Sequence, residues 1–229
     1  MIKAGIDQDA LTTLISQAGA RQGELVRKAV FEATLKALQG RELTLENIRR
    51  VLKSATLASS NGAALNHGSP HEVQTLLSKA VAGMDRALIK AVEANRTALQ
   101  QFMDLGVGLQ DDNMKAALAN LGRMEEVFIA AVGKAVEVAA APLQAPWHHV
   151  LEHMKQHGTV SGSQAAQAVE QLMAQSNSAM HRGRAASVRA AQTMMESYAS
   201  LVSGVLLGMS EGMGRAPPGG AAEKRATRK

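Results

Sequence analysis

The chain has 229 residues, with 25 basic and 20 acidic side chains, a formal charge of +5, 2% aromatic residues and no cysteine. Absence of cysteine excludes disulfides, thiolate metal ligands and cysteine nucleophiles, and so few aromatic residues argue against a β-sandwich or barrel. The composition runs instead to Ala, Leu, Gln, Met, Glu, Lys and Arg, the strong helix formers.

The opening segment from Met1 to Asp9 meets acidic residues before any apolar run, so it does not read as a signal peptide. Residues 7–59 read as two or three short helices. Leu25, Val26, Ala29, Val30, Ala33, Ala37 and Leu38 surround Phe31 at helical spacing. Gly40 is a stop, and Thr44 opens a second run with Leu45, Ile48, Val51, Leu52 and Ala55. Arg49, Arg50 and Lys53 fall on the other face of that run.

Ser59 to Ser69 is a linker by composition. Ser69-Pro70-His71-Glu72 then forms a capping box with proline at the first helical position. The helix it starts is expected to reach about Phe102. Its apolar seam is Leu77, Val81, Met84, Leu88, Ala91, Asn95, Ala98 and Phe102, a heptad pattern. Asn95 is the polar member, the kind of residue that sets register at some cost in stability.

Gly106, Gly108 and Asp111-Asp112-Asn113 break and restart the chain. The next helix carries Met114, Leu118, Leu121, Met124, Phe128, Val132, Ala135 and Ala139 with the same stepping, and stops at Pro142. Together the two helices read as an αα-hairpin. Pro146-Trp147 begins a short helix to about His157, and a long, poorly charged helix is expected from about Gln164 to Gly208. The tripeptide Lys-Ala-Val recurs at Lys28, Lys79, Lys90 and Lys134 without a fixed period, so it is not a structural repeat.

Three features carry chemistry. On a helix, His149, His153 and His157 share one face, and imidazoles four residues apart can chelate a transition metal. His149-Val-Leu-Glu152-His153 also matches the inverted zinc-protease pattern, though no third ligand follows. Gly204, Gly208 and Gly212, four residues apart, suit close helix contact. Finally, Arg215, Lys224, Arg225, Arg228 and Lys229 against Glu223 give residues 215–229 a charge of +4, leaving +1 for the preceding 214. This tail can bind nucleic-acid phosphates or anionic lipid.

No phosphate loop, dinucleotide fingerprint or nucleophile elbow is present, so a non-catalytic protein without a cofactor or small-molecule substrate is expected. The expected fold is all-α: a small helical N-terminal module (residues 1–60), a linker (61–69), an elongated antiparallel, coiled-coil-like bundle (70–212) and a disordered basic tail (213–229). Val127–Leu143 and Tyr198–Ser210 are the longest nearly uncharged apolar stretches, short of the roughly 20 residues a spanning helix needs. A cytoplasmic location is expected.

Ala/Gln/Met-rich helices, few aromatics, no cysteine and a Lys/Arg-bearing Ala/Pro/Gly tail are similar to phasins, the helical proteins that coat bacterial polyhydroxyalkanoate granules. The resemblance spans most of residues 70–229; the His cluster and residues 1–60 stand outside it. It implies amphipathic helices adsorbing to an apolar polymer; a membrane surface is a further candidate partner, through the glycine face. The resemblance further implies homo-oligomers formed through a heptad seam and, in some members, a basic tail that contacts DNA.

Overall fold

A computed structural model describes residues 5–40, 42–108, 110–179 and 198–214. Every regular element among them is helical: α1 (Gln8–Gln17), a 3-10 turn (Ala20–Gln22), α2 (Gly23–Gln39), α3 (Leu45–Ala64), α4 (Pro70–Asp104), α5 (Asp112–Gly122), α6 (Met124–Val138), α7 (Ala141–His157), α8 (Val160–Ala179) and α9 (Tyr198–Gly214). None is long and apolar enough to cross a membrane.

The starts of these helices follow from local chemistry. Asp7 accepts the Ala10 N–H at 3.0 Å to cap α1, and Thr44 accepts the Asn47 N–H at 3.2 Å to cap α3. The capping box of α4 forms as its sequence dictates. Glu72 N–H donates to the Ser69 hydroxyl at 3.4 Å, and Ser69 N–H donates to the Glu72 carboxylate at 2.8 Å.

The long helix α4 is the hub. It packs against α2, α3, α7, α8 and α9. Seventeen of its residues are buried; at 100° per residue they cover an arc of about 200°. The heptad seam read from the sequence is only half of that arc. Leu76, Gly83, Ala87 and Ala94 extend it on one side, and Val92 and Met103 on the other. The seam is therefore enclosed within the chain by several helices rather than left open for a second copy.

Small residues let α2 lie close on α4. A Cβ added at Gly83 would stand 2.5 Å from the Arg27 carbonyl oxygen and 3.1 Å from Val30 Cβ. Gly62 works the same way between α3 and α1, where a Cβ would meet Ile15 Cβ at 2.6 Å and the Thr12 carbonyl oxygen at 2.8 Å. This changes the reading of Ser59–Ser69. Its first six residues are helix, and Ser59, Gly62 and Ala63 are buried. Gly62 signals a close helix crossing, not a break. Beyond it, Asn66 donates through Nδ2 to the carbonyls of Ile15, Ser16 and Ala18 at 2.9–3.2 Å, binding up the end of α1.

One apolar core runs from Leu11 to Leu206, so residues 1–60 share it with the long helices. Two further boundaries differ from expectation. The helix expected from Met114 onward is interrupted at Arg123, giving α5 and α6. The helix of Trp147 begins earlier, at Ala141, with Pro142 in its first turn and Pro146 inside it. Trp147 is fully buried, and its indole N–H donates to the Ser60 hydroxyl at 2.9 Å, joining α7 to α3. The middle of the helix expected over 164–208 lies outside the described residues, as does the tail with Arg215, Lys224, Arg225, Arg228 and Lys229.

Candidate functional site

Three surface regions hold the residues with chemical potential. The first is the histidine face of α7. His148, His149, His153 and His157 are all exposed. The rings of His153 and His157 stack at 4.4 Å between centroids, and His157 Nδ1 lies 3.1 Å from the His153 carbonyl oxygen. His149 and His153 border a cleft of about 370 Å³ that also contains Asp85, Phe128 and Met154.

Asp85 is committed elsewhere. Its two oxygens accept the Val160 and Ser161 N–H groups at 3.0 Å, and Glu125 accepts the Thr159 N–H at 2.6 Å. Carboxylates from α4 and α6 thus meet the positive end of α8. Gly158, with φ of +71°, makes the turn from α7 that brings it there. Glu152 pairs with Lys155 at 3.1 Å in solvent. Among the described residues no group of three His, Cys, Asp or Glu is arranged to hold a metal ion. His149, His153 and His157, expected as metal ligands, thus stand on α7 without a carboxylate beside them that is free of other partners. Helical spacing puts the three imidazoles on one exposed face, but the nearby carboxylates cap a helix instead of completing a ligand set.

The second region is α9. Its inner face is fixed by Val202 and Leu206, both buried, and by Tyr198. The Tyr198 hydroxyl donates to Asn95 Oδ1 at 2.9 Å, while Asn95 Nδ2 donates to the Ala91 carbonyl at 2.8 Å. Burial holds the Tyr198 hydroxyl well above the usual phenol range, so it stays protonated and donating. Phe102 packs on the same ring at 6.2 Å between centroids. Asn95 therefore acts inside the chain, setting where α9 lies on α4. Tyr198 was missed as its partner; the available signal was that it is the sole tyrosine.

At the other end, Ser203 donates to the Gln39 carbonyl at 3.2 Å and Ser200 to Glu42 at 3.0 Å. The outer face of α9 carries Ser200, Leu201, Gly204, Leu207 and Gly208. A Cβ added at Gly204 or Gly208 would meet nothing within 4 Å. The close helix contact expected at these glycines is therefore not made within the described chain. Gly212 lies in α9, but its surroundings are outside the described residues.

The third region is a cleft of about 500 Å³ between α3 and α6. Buried Thr56, Ala131 and Ala135 floor it; exposed Arg49, Lys53 and Lys134 stand around it. Lys134 pairs with Glu137 at 2.8 Å, whereas Arg49 and Lys53 have no ion pair among the described residues. Arg49 and Lys53 were placed together from the sequence, but Lys134, 81 positions further on, had no local signal linking it to them.

Over residues 1–215 the chain matches a family of unknown function, DUF6781, and it belongs to that family. No curated protein matches it. No solved structure matches it either.

Proposed function

We infer that the protein is a non-catalytic helical interaction protein that self-associates and adsorbs to an apolar or anionic surface, as the phasins it resembles do. The observation that carries this reading is the outer face of α9. A helix on a protein surface ordinarily turns charged and polar residues to water. Tyr198–Ser210 contains no charge at all, and on its outer side Leu201 and Leu207 are 40% and 46% exposed. The other exposed large apolar residues, such as Leu25 and Leu65, are scattered singly or far apart along the chain and need no such explanation. Because the α4 seam is covered within the chain, contact between copies falls to α9 under this reading.

The test is light scattering and flotation of the full chain with and without apolar polymer particles or anionic vesicles. Leu201→Ser with Leu207→Ser is expected to abolish particle binding and reduce the assembled mass, leaving helicity unchanged. Removing residues 215–229 is expected to leave particle binding largely intact. A chain that remains monomeric and ignores the particles overturns the reading. If tail removal abolishes a steeply salt-dependent DNA association while particles have no effect, the basic tail is the functional part.

A further inference from the structure

We propose that the cleft between α3 and α6 is a binding site for a single long-chain carboxylate. The argument begins with charge. Arg49 and Lys53 lie four residues apart on α3, and like charges at that spacing repel across one helical turn. Neighbouring acids do not relieve them: Glu46 is taken by Arg50 at 2.6 Å, and Glu137 by Lys134 at 2.8 Å. Lys28, Lys79 and Lys115 each find an acid, whereas Arg49 and Lys53, like Arg21, Lys36, Arg86 and Arg96, have none among the described residues. Two cations with no ion pair among the described residues, facing a third across a cleft, make a site that gains from an anion.

Beneath these cations the surface is apolar. Leu57, Ala131 and Ala135 line the cleft, with Val138 70% exposed at its end on α6. Thr56 brings little polarity, because its hydroxyl already donates to the Leu52 carbonyl at 2.8 Å. The void exists because α6 presents Ala130, Ala131 and Ala135 towards α3, and methyl groups do not fill the space between crossing helices. Its volume of about 500 Å³ falls within the usual range of small-molecule sites. Cations above an apolar trough match an anionic head joined to a hydrocarbon chain. Arg49 and Lys53 hold the carboxylate, and the alanines and Val138 cover the chain. The site lies apart from α9, so it stands whether or not the surface reading holds.

Calorimetric titration of the full chain with dodecanoate, kept below its micelle threshold, tests this. One carboxylate is expected to bind per chain, saturably. Octanoate is expected to bind at least tenfold more weakly, because each methylene removed from the trough loses apolar burial. Dodecyltrimethylammonium, with the opposite head charge, is expected not to bind. Lys53→Glu and, separately, Ala130→Trp, which fills the cleft from an exposed position, are each expected to weaken dodecanoate at least tenfold with the helical circular dichroism unchanged. Leu201→Ser with Leu207→Ser is expected to leave dodecanoate binding untouched. Equal binding of the cationic amphiphile, or dodecanoate binding indifferent to both cleft variants, overturns the proposal. So does attachment to phosphatidylglycerol vesicles without saturable binding of the monomeric carboxylate.

Discussion

Helices α4 and α9 use the same kinds of residue to opposite ends. Both carry Leu and Met, and both carry glycine inside the helix, where it costs roughly 1 kcal/mol relative to alanine. In α4 that cost is offset, because Gly83 admits the backbone of α2 and several helices bury about 200° of its circumference. Its water-facing positions carry Arg86, Arg96 and Gln101. In α9, Gly204 and Gly208 face outward with nothing within 4 Å among the described residues, and the positions around them are Ser200, Leu201 and Leu207. A small-residue stripe therefore signals close approach only where the chain itself supplies the approaching element. At Gly204 and Gly208 no described element does.

The sharpest way to break this comparison is to add one methyl group to each helix. Gly83→Ala puts a carbon against the Arg27 carbonyl and is expected to destabilise the protein by about 1–3 kcal/mol, the usual cost of overpacking. Gly204→Ala meets open space and is expected to stabilise it by up to about 1 kcal/mol. Denaturant unfolding reads both, and equal signs for the two variants would erase the distinction.

A smaller effect is expected at the joint between the two helices. Tyr198→Phe removes the donor to Asn95 and should cost about 1 kcal/mol. Hydrogen exchange is expected to quicken in α9 while the middle of α4 keeps its protection. Uniform quickening across both would mean that α9 is not a separately docked element.

The smallest effect concerns the edge of the α2–α4 contact. A hydrogen bond from Lys79, and next one from Arg27, hold the Glu24 carboxyl below its ordinary range. A lowered folded-state pKa contributes stability that is complete above the ordinary glutamate value and fades as pH falls through the folded one. Glu24→Gln should therefore lower stability slightly at neutral pH, leave it unchanged in acid and so shallow the acid limb of a stability–pH curve, a small effect because the group is exposed.

The parts of this fold legible in the sequence are those decided locally. Thr44 and the Ser69–Glu72 box announce their helices because the caps lie within three residues of the groups they satisfy. The helical class follows from composition. What was illegible depends on partners distant in the chain. Gly62 looks like a linker residue until Ile15 is opposite it, and Asn95 looks like a register residue for another copy until Tyr198, 103 positions on, takes its oxygen. The histidine face of α7 was read correctly as a face. The carboxylates beside it, Asp85 and Glu125, engage the start of α8, which leaves no sequence mark. The α3–α6 cleft was half legible, in Arg49 and Lys53, while its far wall waited on the crossing angle of α6.

Trp147 gives the protein a built-in optical gauge. It is the sole tryptophan, it is sealed from water, and its indole N–H is held by Ser60 in the last turns of α3. Emission from this protein therefore comes from one place, the seat of α7 on α3. A red shift on heating, dilution or particle binding reports that seat loosening, and a constant spectrum reports that whatever has changed lies elsewhere in the molecule.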